Sequence, residues 1–259
     1  MNIGVFLLPV IVILWFVIGY SVWMFSKGVR SKRMILFTFA MVCALLTFSY
    51  WAIFDLMYED KALPFAANEL GEWALFLLFG ATLITDVAKK RISLFWEMAF
   101  ALLFVAVNTG LWIYWNGEWM QDSLTGLSLG YLLYGLIRQM KYSGKFSRKN
   151  WCFIAASAAA AVAFQLCSVL TGGAFGRTAE LAGYIYLVAG TLLYFALTVL
   201  MLCKKSEIER SVCMAYIFFT WCTFSMYMTD GNWYVFELGS SYVSIFLVFL
   251  AMKKEVRAK

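Results

Sequence analysis

Residues 3–33 read IGVFLLPVIVILWFVIGYSVWMF followed by SKGVRSKR. The run from Ile3 to Phe25 carries no charge. At 1.5 Å per residue it is long enough to cross a hydrocarbon core about 30 Å thick. It then meets Lys27, Arg30, Lys32 and Arg33 within a few residues. A long apolar block closed by a basic cluster is the unit from which the rest of the chain is built. Backbone polar groups in lipid must be paired within the segment, so such blocks predict helices.

Working outward, further apolar blocks lie at about 34–56, 67–87, 92–115, 119–140, 150–171, 179–203, 211–229 and 233–252. Over the 259 residues, 63% are hydrophobic and 14% charged. A soluble domain has about 45–50% apolar and about 25% charged residues, because it must cover its core with polar groups. The expectation is an all-α integral membrane protein with nine transmembrane helices, forming a single polytopic domain over 1–259 with no soluble domain. The first block lacks a basic leader and a convincing small-residue cleavage site, so it reads as a retained helix.

Lysine and arginine set the orientation. Basic clusters follow the first block, then recur at Lys89, Lys90 and Arg91, at Arg138 to Lys149, at Lys204, Lys205 and Arg210, and at Lys253 to Lys259. Only Lys61 and Arg177 fall in the intervening connections. Basic connections mark the cytoplasmic side. This alternation predicts a multi-pass cell-membrane protein with its N-terminus outside and its C-terminus in the cytoplasm. The net charge of +6 is therefore a charge on the inner face. It predicts attraction to anionic cytoplasmic lipid, at about 1 kcal/mol per basic residue, and gives no reason to expect nucleic acid.

Four segments share an acid followed by Leu and a small residue: Glu69-Leu70-Gly71, Asp122 to Gly126, Glu180-Leu181-Ala182-Gly183 and Glu237-Leu238-Gly239. Ordinary helix-end chemistry gives such a pattern, since an acid favours the positive end of the helix dipole. The alternative is one leading helix plus four duplicated helical hairpins. Small residues from Ala155 to Ala163, and Gly126 with Gly130, predict close helix approach and an oligomer or partner-subunit contact.

Absences narrow the chemistry. There is no histidine, which removes the commonest general base and metal ligand. The six cysteines lie in or at the ends of apolar blocks without C-x-x-C spacing, and read as small packing residues. No P-loop, nucleophile elbow or deep lysine for retinal occurs. No cofactor or metal site is expected, and the chain does not read as an enzyme. The absence of an N-x-S/T sequon agrees with a bacterial source.

The outer ends combine acids with aromatics: Asp55 near Tyr50 and Trp51; Glu72 beside Trp73; Trp115, Glu118, Trp119 and Asp122; then Glu180, and Glu237 near Trp233. One reading is an interfacial aromatic belt with solvated acids. The other is a vestibule for a cationic or amphipathic ligand, using carboxylates and cation–π contact worth up to about 2 kcal/mol each. Within the blocks, Glu97, Asn108 and Gln165 are the polar candidates. Glu97 pairs with a rim cation or binds a proton or cation, and the two amides bond between helices or line a path. The leading functional expectation is a transporter or permease for a small cationic or amphipathic solute. The alternative is a receptor, sensor or non-catalytic subunit of a membrane complex. Transport requires Glu97, Asn108 and Gln165 to line one cavity, whereas a receptor requires a closed bundle with an outer pocket.

Overall fold

A computed structural model describes residues 3–28, 31–57, 69–85, 95–170 and 176–258. Among them the chain forms nine α-helices and no strand: α1 (Ile3–Ser26), α2 (Lys32–Met57), α3 (Glu69–Ile84), α4 (Phe95–Asn116), α5 (Trp119–Ser143), α6 (Arg148–Leu170), α7 (Gly176–Cys203), α8 (Ile208–Met226) and α9 (Gly231–Ala258). Glu59, Asp60, Lys61 and Pro64 of the first outer connection lie outside the described residues, as do Arg30 and the cluster Lys89 to Arg91.

Local chemistry sets several of the ends. Gly28, Gly117 and Gly144 follow α1, α4 and α5 with φ of 84°, 76° and 62°, the left-handed conformation that glycine adopts without a Cβ penalty at a helix end. Before α6, the Asn150 amide N–H reaches Ser147 Oγ (3.3 Å) and the Ser147 N–H donates to Asn150 Oδ1 (3.1 Å). This is a reciprocal cap with Asn in place of the usual Glu or Gln.

Among the described residues, six helices are long and apolar enough to cross a membrane: α1, α2, α4, α6, α7 and α9. The other three fall short for different reasons. The 16 described residues of α3 rise only about 24 Å, and residues 58–68 and 86–94 on either side lie outside the described residues. Helix α5 carries Asp122, Thr125, Ser128 and Gln139, all buried against protein. Helix α8 is buried on every side, with every residue from Ser211 to Met226 except Trp221 in the core. A helix surrounded by other helices tolerates hydroxyls if they find acceptors, and here Thr220 and Thr223 donate to the carbonyls of Tyr216 and Phe219 one turn back.

The helices form two compact units. One holds α1, α2, α3 and α5 as far as Gly135. Its helices approach closely where side chains are smallest. A Cβ on Gly135 would stand 2.7 Å from the Gly80 carbonyl oxygen, and one on Gly71 would meet Thr47 Oγ1 at 1.8 Å. Arg33 Nε donates to the Thr82 carbonyl (2.8 Å), tying the start of α2 to the end of α3, and Phe37 stacks on Phe79.

The second unit holds α4, the end of α5 from Leu136, and α6 to α9. Helix α8 is its axis, packed on α7 and α9, while α6 packs on α7 and α4. Rings fasten α4 to α8: Phe104 and Trp112 both contact Phe224. At the end of this unit opposite the α8–α9 turn, the Lys254 ammonium gathers the carbonyls of Met201, Leu202 and Lys204 and the Ser211 hydroxyl at 2.6–3.2 Å. It satisfies the free carbonyls that every helix C-terminus leaves. This explains why α9 continues to Ala258, past the expected limit near 252.

Candidate functional site

In the second unit a cleft opens where the end of α6 meets the start of α7. Trp115, Phe164, Gln165, Ser168, Glu180 and Tyr184 line it, with Met228 from the α8–α9 turn. Counting the part open to the surface it spans about 340 Å³.

Helix chemistry places each group. Gly183 brings α6 and α7 together, since a Cβ there would meet Phe164 at 3.3 Å. The next turn of α6 carries Gln165, and Glu180 lies one turn before Tyr184 on α7. Residues four apart share a helix face, and the Tyr184 hydroxyl donates to Glu180 Oε1 at 2.8 Å. The same hydroxyl is within interaction range of the Asp230 carboxylate on the α8–α9 turn, and the Tyr184 ring packs on Trp233 with centroids 5.9 Å apart. No cationic side chain is among the described residues that line the cleft.

Gln165 is the exceptional residue. Its side chain is 6% exposed, yet neither Oε1 nor Nε2 has a hydrogen-bond partner among the described residues. Leaving such a group unsatisfied costs about 1–3 kcal/mol for each buried donor or acceptor.

The structure brings together Trp115, Gln165 and Glu180, and leaves the other expected residues elsewhere. Glu237 is fully buried between α7, α8 and α9, where Oε2 accepts from Thr191 Oγ1 at 2.7 Å and Oε1 has no hydrogen-bond partner among the described residues. Asn108 is fully buried on α4. Its Nδ2 donates back to the Phe104 carbonyl (2.7 Å), and Oδ1 has no hydrogen-bond partner among the described residues. Glu97 forms an ion pair with Lys141, so it meets a cation at the helix end. Asn108 and Glu97 do not line the cleft that Gln165 lines.

The first unit holds the remaining candidates. Trp73 donates its indole N–H to Thr125 Oγ1 (2.9 Å), and Glu69 accepts from Gln121 (3.3 Å), so both serve the α3–α5 packing. Glu72 and Asp55 are half-buried near the ends of α3 and α2. Asp122 is buried, whereas Glu118 and Trp119 are exposed at the start of α5.

Sequence reasoning did not single out Tyr184 or Asp230 as cleft residues. The signal for Tyr184 was present in Glu180-x-x-x-Tyr184, an acid and a hydroxyl one turn apart. Asp230 belongs to a different helix pair, and only folding brings it near.

No family model matches the chain, and neither does any curated protein or solved structure. The functional reading therefore rests on the cleft itself.

Proposed function

We propose that the chain is a multi-pass membrane protein of receptor type, which binds a small organic cation in the cleft between α6 and α7 at the outer face. The membrane reading is supported by what the apolar helices fail to bury. In the spanning stretches of α4, α6 and α7 only 22%, 17% and 22% of residues are buried against protein. Leu102, Leu103, Phe153, Leu192, Leu193 and Leu200 stand on the exposed surface. Patches of this extent on a water-soluble monomer are rare, and lipid is the solvent that covers them without cost.

Nine crossings with an outer N-terminus put the cleft outside. In the second unit every described basic residue except Arg177 lies at the opposite end, where Arg210 donates to the Lys145 carbonyl (2.5 and 3.0 Å), Lys141 meets Glu97 and Lys254 caps α7. That end faces the cytoplasm and its anionic lipid by the positive-inside bias.

The observation that carries the functional reading is the convergence of Glu180, Gln165 and Trp115 on one cleft. A carboxylate with no lysine or arginine among the described lining residues favours a cation, and the indole and phenol faces add cation–π attraction. A receptor is favoured over a permease because the polar residues that would mark a path are not collected in one cavity. Glu97 is ion-paired, and Asn108 sits within the helix packing. The test is amine binding to purified protein in nanodiscs, with flux measured in parallel in proteoliposomes. Binding that falls at least tenfold in Glu180→Gln, without amine flux, is expected. Failure of every small amine to bind at millimolar concentration overturns the reading.

A further inference from the structure

At the end of the second unit opposite the cleft, two short connections carry five exposed cations. Lys145, Arg148 and Lys149 belong to the α5–α6 connection and the start of α6, and Lys204 and Lys205 to the α7–α8 connection. None of the five side chains meets a carboxylate among the described residues. Of the acids between α7 and the first turn of α8, Glu207 is paired with Arg210 and Glu209 stands exposed. The two connections are locked together. Arg210 Nε and Nη2 both donate to the Lys145 carbonyl, at 3.0 and 2.5 Å, and Nη1 meets Glu207 Oε1 at 3.4 Å. The Glu207 N–H donates to the Lys204 carbonyl at 3.3 Å, and the Lys254 ammonium reaches the same oxygen at 2.6 Å. Like charges held in one place repel, and an anion set among them relieves that repulsion.

Depth identifies the anion. The apolar crossing stretch of α6 begins at Arg148 and that of α7 ends at Cys203. The five cations therefore stand level with lipid headgroups. Trp151 lies one turn further along α6, and Phe153 beyond it is exposed where acyl chains begin. We infer that this end binds an anionic lipid of the inner leaflet whose headgroup carries two phosphates, one facing the α5–α6 cations and the other facing Lys204 and Lys205. Once the first phosphate is held, the second binds intramolecularly. The locked connections also lose little freedom on binding. General attraction to anionic lipid follows charge alone, whereas this site separates lipids of equal charge. The inference rests on the membrane reading of the chain and is independent of the amine cleft.

The experiment titrates the full chain in neutral detergent with cardiolipin or phosphatidylglycerol, and reads bound lipid by native mass spectrometry. Cardiolipin is expected to bind at least tenfold tighter than phosphatidylglycerol at equal phosphate. Lys145→Gln combined with Lys204→Gln removes one exposed cation from each connection and should reduce that preference to within threefold. Arg210→Gln should do the same by releasing the two connections, and the lysine pair provides the test should that variant fold poorly. Arg177→Gln makes the same charge change as Arg210→Gln at the other end and should leave the preference within twofold of wild type. Equal affinity for the two lipids overturns the inference, as does a preference that survives the paired lysine change or falls equally in Arg177→Gln. Displacement of cardiolipin by equimolar pyrophosphate or polyglutamate also overturns it, assigning the surface to a soluble phosphate or an acidic protein segment instead. A chain recovered as a monomer without detergent overturns the membrane reading and this inference together.

Discussion

Thr191 Oγ1 donates a 2.7 Å hydrogen bond to Glu237 Oε2 from within the packing of α7 against α9, where neither side chain meets solvent. Thr191 does not act alone. Trp221 Nε1 on α8 lies 3.1 Å from the same hydroxyl oxygen and 3.2 Å from the Leu187 carbonyl. With its proton given to Glu237, the threonine oxygen is an acceptor for the indole. Three helices are thereby joined through one hydroxyl.

The first prediction concerns this hydroxyl. Thr191→Val keeps the volume but removes the donor to Glu237 and the acceptor for Trp221. Glu237 stays buried while Trp221 keeps its bond to the Leu187 carbonyl, so the loss should be about 1–3 kcal/mol. It is read as a lower unfolding midpoint in detergent. Glu237→Gln retains an oxygen that accepts from Thr191 and should lose less than Thr191→Val. A Thr191→Val protein as stable as wild type would show that the bond contributes nothing.

Gly190 gives a second prediction about the same junction. A Cβ built there would stand 2.2 Å from a ring carbon of Trp221, whereas one on Gly110 of α4 meets nothing within 4 Å. Gly190→Ala should displace the indole and its two bonds, costing about 1–3 kcal/mol as an overpacked site does. Gly110→Ala should be neutral or stabilising by about 0.4–1 kcal/mol, because alanine reduces the freedom of the unfolded chain. The pair is a controlled comparison: equal effects would remove steric contact as the cause.

These residues also mark the limit of what the sequence reveals. The alternation of apolar blocks and basic clusters was legible because lipid thickness and charge act on each segment independently of its neighbours. The helices accordingly begin and end close to the blocks read from the sequence, as with Ile3–Ser26 and Gly176–Cys203. Burial of a single side chain depends on which helix lies opposite. Glu237 stands in the second turn of α9, and sequence position alone put it at the outer rim. The structure buries it because α7 presents Thr191 there, and Gly190 makes room for Trp221. Gln165 and Glu180 were each legible as polar residues in or near apolar blocks. That they share a cleft follows from the approach of α6 and α7 at Gly183, which spacing along the chain does not encode.

A third prediction concerns Lys254. Its ammonium reaches three carbonyls at the end of α7 and the Ser211 hydroxyl at the start of α8. Lys254→Met keeps much of the aliphatic stem and deletes the charge. Carbonyls of a helix C-terminus then depend on water or remain unsatisfied. The expected outcome is a loss of about 1–3 kcal/mol, with faster amide hydrogen exchange confined to the α7–α8 connection and the last turns of α9. Exchange that rises equally throughout α4 and α6 would point to global destabilisation and contradict a local cap.

The last prediction separates Glu97 from any ligand site. Glu97 and Lys141 pair where their side chains keep 21% and 39% exposure, so water and salt screen the attraction. Exposed pairs contribute about 0–1 kcal/mol. Glu97→Gln and Lys141→Met should each lower stability by no more than that, and the effect should shrink as ionic strength rises. The double charge swap, Glu97→Lys with Lys141→Glu, should recover most of the loss, because opposite charges again meet across the same gap. Amine affinity should stay within twofold of wild type in all three proteins, since neither residue lines the cleft of Gln165 and Glu180. A larger fall in affinity for Glu97→Gln, persisting in the charge swap, would instead assign Glu97 to a solute path and favour a permease over a receptor.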